Sequence, residues 1–199
     1  MSDADRQRWN ERYRLGAYAD REHASPWLLA CLPRAPTGRA LDVACGAGRN
    51  ALCLAERGYA VTGVDISGEA LSRARRSART RGLTVEWIER DLDTGPGVRG
   101  PFDLIVLVRY VDLALLPALC GQLAPAGCLV VEEHLATERD DVAGPRNPAF
   151  RVSSGALRRA AGDLEVIDSF EGEVSDPDGR PAMVARLFAR RPASGGAGR

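Results

Sequence analysis

The chain has 199 residues and a mass of 21.4 kDa, which suits one domain with a full hydrophobic core. Its 27 basic residues balance 27 acidic residues, so we expect no general attraction to nucleic acid or to an anionic membrane. No apolar run approaches the roughly 20 residues that span a bilayer. The polar first ten residues do not resemble a secretory signal peptide, so we expect a cytoplasmic protein.

Five cysteines are scattered along the chain without close pairs: Cys31, Cys45, Cys53, Cys120 and Cys128. An odd count of this kind argues against a disulfide framework and against a zinc site. We interpret these residues as small buried hydrophobes in a reducing compartment, and we predict no metal centre.

The first 37 residues are expected to form a helical lead-in or lid. Asp3 or Asp5 can cap a first helix, and Gly16 breaks it. A second helix is predicted over residues 26–32, with Ser25 as its N-cap and a proline in its first turn.

From residue 39 onward, apolar strands alternate with helices. Strands are predicted over residues 39–44, 60–65, 84–89, 102–108, 128–133, 164–170 and 182–190, and helices over residues 50–57, 69–81, 112–123 and 153–161. Strands separated by helices form βαβ units with a parallel sheet, and the turn at residues 176–179 predicts a terminal hairpin. We therefore predict an α/β fold over residues 38–191: a doubly wound, mostly parallel seven-stranded sheet with an antiparallel terminal hairpin. Residues 192–199 are expected to form a disordered tail.

The most informative segment joins the first strand to the following helix and reads LDVACGAGRN over residues 41–50. In open α/β sheets, ligands bind beyond the carboxyl ends of the strands. Gly46 and Gly48 allow a tight turn and a close approach of a ligand to the backbone. The segment also satisfies the G-x-G-x-x-A pattern of dinucleotide-binding proteins, so an NAD-dependent oxidoreductase stays an alternative.

Three acidic residues stand at the carboxyl ends of successive predicted strands. Asp42 precedes the glycine turn, where a carboxylate would repel a pyrophosphate but attract the sulfonium and ammonium groups of S-adenosylmethionine. Asp65 can accept hydrogen bonds from the ribose hydroxyls of either cofactor. Asp91 can accept one from an adenine amino group. The three acids together favour S-adenosylmethionine over NAD.

These residues resemble the cofactor motifs of class I S-adenosylmethionine-dependent methyltransferases, and the resemblance extends over nearly the whole chain. Residues 102–106 resemble the fourth strand of that family, and residues 123–129 resemble the L-x-P-G-G-x-L turn before its fifth strand. Ala126 and Ala44 stand where the family often has glycine. Both are small, so the departure leaves the expected fold unchanged.

Shorter segments resemble small methyltransferases of the tellurite-resistance type and others without an assigned acceptor. They are residues 9–13, the Arg109-Tyr110 pair and residues 145–148. The resemblance implies methyl transfer from S-adenosylmethionine to a small-molecule acceptor. The residues that we expect to bind the cofactor are Asp42, Ala44, Gly46, Gly48, Asn50, Asp65, Ile66, Asp91 and Leu92.

Two residues follow the fourth strand, where the transferred methyl group should emerge. We expect Arg109 and Tyr110 to contact the acceptor, with Arg109 attracting an anion. The alternative is that Arg109 pairs with a structural acid while Tyr110 packs beneath a helix. His134, at the end of the fifth strand, is a candidate catalytic base, although a lone histidine there is more often structural.

Trp9, Tyr13 and Tyr18 in the lead-in are candidates for an aromatic lid, or else for an apolar stripe packed on the core. The short chain leaves little room for a substrate domain, which favours a small acceptor. We expect a monomer or weak homodimer with neither a membrane nor a nucleic-acid partner. A non-catalytic ligand-binding module of the same fold stays a second alternative.

Overall fold

The computed structural model describes residues 3–19, 21–176 and 179–193. In these ranges the helices are α1 (Asp3–Arg14), α2 (Pro26–Cys31), α3 (Arg49–Glu56), α4 (Gly68–Thr80), α5 (Leu116–Cys120) and α6 (Ala156–Ala160). The strands are β1 (Arg39–Val43), β2 (Ala60–Asp65), β3 (Glu86–Glu89), β4 (Phe102–Val108), β5 (Leu123–His134), β6 (Glu165–Ser175) and β7 (Pro181–Arg190).

The strands form one mixed sheet in the order β3-β2-β1-β4-β5-β7-β6. Strands β1 to β5 pair in parallel, whereas β7 runs antiparallel to both β5 and β6. The predicted doubly wound sheet with an antiparallel terminal hairpin is therefore confirmed. Residues 177 and 178 of the predicted hairpin turn lie outside the described residues.

Helices cover both faces of the sheet and bury its apolar strands. One face packs against α2 and α3, and this core includes Leu28, Leu54, Leu104, Val130 and Phe188. The opposite face packs against α5 and α6, and this core includes Leu41, Ile105, Leu116, Leu129 and Leu157. Burial of each such side chain contributes about 1.5–3 kcal/mol. Strands covered on both faces must be apolar along their whole length, which explains the run LIVLV in β4.

The helix predicted over residues 112–123 is much shorter in the structure, where only α5 is helical. The carboxylate of Asp112 accepts hydrogen bonds from the backbone N–H groups of Ala114 (3.0 Å) and Leu115 (3.3 Å). This local turn competes with helical hydrogen bonding, as aspartate side chains often do. The helix consequently begins only after the turn.

Two strands are longer than predicted. β5 begins at Leu123 instead of residue 128, and β6 continues to Ser175 instead of ending at residue 170. Both extensions depend on pairing between strands, since Leu123 pairs with Phe102 in β4 and Ser175 pairs with Pro181 across the terminal hairpin.

The described helices include none that is long and apolar enough to cross a membrane. Most of the predicted tail, residues 194–199, lies outside the described residues. Disorder of the tail and the boundary between a lead-in and a main domain at residue 37 therefore stay predictions.

Candidate active site

The order in which strands are added to the sheet reverses at β1. This strand pairs in parallel with β2 on one side and with β4 on the other. This reversal creates a crevice beyond the carboxyl ends of the strands, where open α/β sheets bind ligands. The glycine turn at residues 44–48 follows β1, and Arg109 follows β4. The structure therefore places both segments at the same crevice.

The glycine turn takes a backbone conformation that few residues tolerate. Gly46 (φ 55°) and Gly48 (φ 83°) are both left-handed, and Ala44 (φ 53°) shares this conformation. A Cβ atom at Gly46 would overlap the hydroxyl of Tyr13, and one at Gly48 would lie 2.6 Å from the ring of Trp87. Gly48 is thus required for packing as well as for conformation, and Gly46 is required for its conformation.

The buried carboxylate of Asp65 holds the glycine turn against the end of β2. Its Oδ2 accepts a hydrogen bond from the N–H of Gly46 (2.8 Å), and its Oδ1 accepts one from the N–H of Ser67 (2.8 Å). Burial raises the pKa of Asp65, while these backbone donors oppose the rise. Each carboxylate oxygen can accept more than one hydrogen bond, so the arrangement is compatible with two further donors from a ribose.

Asp42 lies beneath the turn and is almost fully buried. Its Oδ2 accepts a hydrogen bond from the N–H of Ala51 (3.0 Å), which ties the first turn of α3 to β1. Burial raises the pKa of Asp42 to about 7, against the effects of this N–H group and of Arg49. The group ionises near neutrality, where a bound cation would favour its charged form.

Three further predicted cofactor residues follow β2 and β3. The Oδ1 of Asp91 accepts a hydrogen bond from the N–H of Asp93 (3.0 Å) and caps a short 3₁₀ turn. Leu92 is buried in the core beside α5 and α6. Ile66 is also buried, directly after Asp65. The carboxylates of Asp65 and Asp91 thus follow neighbouring strands at one edge of the sheet.

Asn50 has a structural contact that the sequence did not reveal. Its Oδ1 accepts a hydrogen bond from the N–H of Ser25 (2.9 Å), the N-cap residue of α2. The side chain is therefore engaged with the segment before α2. Its predicted role in cofactor binding stays a prediction.

Helix α1 lies over the glycine turn, although its side chains are at most partly buried. The Oδ1 of Asn10 accepts hydrogen bonds from the hydroxyl of Ser67 (2.8 Å) and the N–H of Glu69 (3.3 Å). Arg73 of α4 donates to the carbonyl of Ala17 (2.9 Å). A few polar contacts thus hold this helix, and Asn10 is a residue that the sequence analysis missed.

The aromatic residues of the lead-in gather beside this turn. The ring of Tyr13 lies 6.4 Å from that of Trp9 and 5.8 Å from that of Tyr18. Burial, and next the negative charge of Asp65, raise the pKa of Tyr13. The position of Tyr13 at the glycine turn suits a lid, a role that stays a prediction.

Arg109 is enclosed by ionic partners, and its side chain is only 13% exposed. Its Nε donates to Glu132 (2.9 Å), and its Nη2 donates to Asp176 (3.0 Å). Its Nη1 lies within 3.0 Å of both ring nitrogens of His134. These contacts agree with the structural alternative for Arg109, in which the guanidinium pairs with acids of the fold.

The environment of His134 makes it a weak base. Burial lowers the pKa of His134 to about 3, assisted by the positive charges of Arg109, Arg151 and Arg21. A group with such a pKa is neutral at physiological pH and binds a proton too weakly for efficient base catalysis there. The position of His134 at the end of β5 nevertheless places it in the crevice.

Tyr110 packs against the core that α5 and α6 cover. Its N–H donates to Oε1 of Glu133 (3.0 Å), and burial raises the pKa of its hydroxyl. Glu133 is buried, and its Oε2 has no hydrogen-bond partner among the described residues. Burial raises the pKa of Glu133 as well. In the sequence, the only sign of a special role for Glu132 and Glu133 is that two glutamates stand next to each other in an otherwise apolar part of β5.

A surface depression lies at the opposite edge of the sheet, beside the start of β4 and β5. Its charged lining residues are Arg99 and Arg191, without an acid. Because ligands of open α/β sheets bind at the carboxyl ends of the strands, we place the site at the glycine turn.

Comparisons with known proteins find similarity to several methyltransferases. A family profile described as "Methyltransferase domain" matches residues 40–126. Demethylmenaquinone methyltransferase of Thermus thermophilus is 40% identical over 109 residues, which cover 51% of this chain and 49% of that protein. Trans-aconitate 2-methyltransferase of Delftia acidovorans is 28% identical over 188 residues, which cover 89% and 69%. The crystal structure of TehB from Haemophilus influenzae matches with a TM-score of 0.72 at 22% identity, covering 92% of this chain and 67% of that one.

Residues 40–126 of the chain therefore match a methyltransferase domain. The matched residues 40–126 include the glycine turn, Asp65, Asp91 and Arg109. The likeness to TehB extends the fold beyond them, over most of the chain. The chain spans about half the length of several curated methyltransferases that it matches.

The crevice at the carboxyl ends of the strands divides into two parts. The glycine turn and Asp65 form one part, where N–H groups and carboxylates lie together. Arg109 and His134 form the other part, at the ends of β4 and β5. A ligand lying across β1 could therefore meet a second molecule above β4.

Proposed function

We propose that this chain transfers a methyl group from S-adenosylmethionine to a small-molecule acceptor. The supporting observation is the buried carboxylate of Asp65, bonded to Gly46 on one side and Ser67 on the other. This arrangement presents an acceptor of hydrogen bonds beside a turn that a ligand can approach closely. We assign Asp65 to the ribose and Asp91 to the adenine.

The surroundings of the turn favour this cofactor over NAD. Asp42 stands directly beneath it, and its ionised carboxylate would repel a pyrophosphate. A cationic ligand favours that ionised form. We assign Asp42, Gly46 and Gly48 to the methionine part of the cofactor.

Methyl transfer requires little of the protein beyond the alignment of the two reactants. Bound S-adenosylmethionine supplies a methyl group that its sulfonium already activates. The residues of the chain bind the two reactants in line and keep water away. A base is needed only if the acceptor must lose a proton, and the pKa of His134, about 3, argues against that role for its imidazole at neutral pH.

A small carboxylic acid is one class of acceptor that the comparisons suggest. The relative from Delftia acidovorans is a trans-aconitate 2-methyltransferase, and its match covers 89% of this chain. We extend to this chain only the class, a small carboxylate-bearing molecule.

Thermal unfolding with S-adenosylhomocysteine tests the assignment of Asp65. A ligand that binds the folded state stabilises it by about 2.7 kcal/mol at 100 times its Kd, so wild type should melt at a higher temperature. Loss of hydrogen bonds to a charged acceptor costs about 1.5–3 kcal/mol, so Asp65→Asn should weaken binding roughly 10- to 100-fold.

Asp168→Asn is the matched control, because Asp168 lies on β6 and forms an exposed ion pair with Arg34. S-adenosylhomocysteine should raise the melting temperature of Asp168→Asn by as much as it raises that of wild type. An unchanged response in a folded Asp65→Asn variant would remove Asp65 from the cofactor site. Circular dichroism of each variant establishes that it is folded.

A further inference from the structure

Arg109 lies at the carboxyl ends of β4 and β5, and four further arginines interact with it through shared acids or through their charge. We call this group the arginine cluster: Arg21, Arg49, Arg109, Arg151 and Arg186. They come from five separate segments of the chain, so the cluster is assembled by the fold. Such a concentration of guanidinium groups needs negative charge to balance it.

Two buried carboxylates supply part of that charge. Glu132 bridges Arg109 (2.9 Å) and Arg186 (2.7 Å). Asp176 bridges Arg109 (3.0 Å) and Arg21 (3.5 Å). Each acid is shared between two arginines, so the two acids leave the cluster with an excess of positive charge.

The other two arginines bind only main-chain carbonyls. Arg49 donates to the carbonyl of His23 (3.4 Å). Arg151 donates to the carbonyls of Pro145 (2.9 Å) and Leu135 (2.8 Å). Within the described ranges neither guanidinium forms an ion pair. Each therefore keeps N–H donors that no carboxylate of the described fold accepts.

The excess charge acts on the neighbouring groups. Burial lowers the pKa of Arg49, and the charges of Arg21 and Arg109 lower it further, against Glu132 and Asp42. Burial, with the charge of Arg109, also lowers the pKa of Arg151. The lowered pKa of His134 keeps its imidazole neutral among these arginines, so the negative charge that balances them must come from elsewhere.

The cluster adjoins the place where methyl transfer would occur. Arg49 directly follows the glycine turn, and Arg109 directly follows β4. A cofactor on the turn would therefore have the cluster on the side facing β4 and β5. Guanidinium groups bind carboxylates through two parallel hydrogen bonds, which also fix the orientation of the bound molecule.

We propose that the arginine cluster binds a carboxylate of the methyl acceptor, with Arg49 and Arg151 holding it directly. The inference rests on the proposed function, because it places the acceptor beside the bound cofactor. It also assigns Arg109 a positioning role through Glu132 and Asp176. The carboxylate of the cofactor itself has the same chemistry, so the experiment must separate the two sources.

Calorimetric titration of the full chain with citrate, in the presence of saturating S-adenosylhomocysteine, tests the proposal. Wild type should bind citrate, and bind it more tightly than inorganic phosphate at equal ionic strength. Arg49→Gln and Arg151→Gln should each weaken citrate binding at least tenfold. Arg79→Gln, on the exposed face of α4, should change it less than twofold.

Several results would overturn the proposal. They are the absence of citrate binding, tighter binding of phosphate, or citrate affinities unchanged in the two cluster variants. A loss of S-adenosylhomocysteine affinity in Arg49→Gln, with citrate binding unchanged in Arg151→Gln, would assign the cluster to the carboxylate of the cofactor instead. If Arg151→Gln fails to fold, Arg49→Gln alone tests the proposal. The Arg49→Gln change removes only one long hydrogen bond, the one to the carbonyl of His23, so this variant should fold.

Failure of the proposed cofactor assignment can be told apart from failure of the carboxylate site. If S-adenosylhomocysteine does not bind, the cofactor assignment fails, and citrate is then titrated into the chain alone. Citrate binding that depends on Arg49 and Arg151 would support the carboxylate site by itself. Citrate binding independent of both would overturn it.

Discussion

Glu132 and Asp42 are both buried carboxylates, yet their surroundings differ. Glu132 accepts hydrogen bonds from two guanidinium groups, those of Arg109 and Arg186. Asp42 accepts one from a backbone N–H group and lies beneath the glycine turn. The first carboxylate stabilises the fold through ion pairs, whereas the second carries a cost of burial that a cationic ligand can offset.

Glu132→Gln should destabilise the protein strongly. The change removes one partner of a buried ion-pair network, which typically costs about 3–5 kcal/mol because the arginines lose their balancing charge. Asp168→Asn should cost no more than about 1 kcal/mol, since its ion pair with Arg34 is exposed. Urea unfolding measures the free energy of unfolding of both variants. Equal losses of this free energy would show that Glu132 stabilises the fold no more than a surface ion pair does.

The pH dependence of stability should differ between wild type and Asp42→Asn. The pKa of Asp42 is raised from 3.8 to about 7 in the folded chain, so the folded state binds this proton more tightly than the unfolded state. The stability that this proton provides is present below about pH 4 and is lost as pH rises through about 7.

Asp42→Asn lacks this titration. The stability of the variant relative to wild type should therefore rise between pH 5 and pH 8, by about 2–4 kcal/mol. Urea unfolding at both pH values gives the comparison, in which effects of His134 and other groups cancel. A constant difference between the two proteins would show that Asp42 is ionised at both pH values.

The residues of the crevice differ in how far the sequence predicts them. Gly46 and Gly48 are predictable because a short turn between strand and helix depends on local conformation. Asp65 is predictable because it ends a strand. Asn10 and Arg49 are not, since their contacts join segments that lie far apart in the sequence.

Helix α1 combines an exposed surface with a position over the glycine turn. It is held by Asn10, Arg73 and the ring of Tyr13, and its side chains are at most partly buried. Elements with few buried contacts open more readily than the core. This combination suits a segment that moves when a ligand enters.

Hydrogen exchange should detect this behaviour. Binding of S-adenosylhomocysteine should slow exchange in α1 at least tenfold, because the ligand adds contacts beneath Tyr13. Exchange in α5, on the opposite face of the sheet, should change little. Protection of residues 44–48 without any change in α1 would show that α1 is no lid.

The helices also show why a local pattern can mislead. Residues 112–123 have the composition of a helix, but the side chain of Asp112 closes a turn before Leu116. Only the last part of the segment then packs on β5 as α5. The strand β4, by contrast, has the predicted bounds, because a continuous apolar run between polar turns fits only a buried strand here.

For the whole molecule, the alternation of strands and helices was enough to predict the class of fold. The position of β7 between β5 and β6 was not predicted, because it depends on pairing between strands distant in sequence. This insertion brings the start of β7 and Asp176 to the crevice. The arginine cluster is therefore a consequence of the sheet order.

Parallel calorimetric titrations of the wild-type chain with S-adenosylhomocysteine and with NAD test the cofactor most directly. We expect micromolar binding of S-adenosylhomocysteine and no detectable binding of NAD, because the carboxylate of Asp42 opposes a pyrophosphate at the turn. Binding of NAD alone would contradict the assignment and favour an oxidoreductase. Binding of neither would favour a domain that keeps the fold without the cofactor.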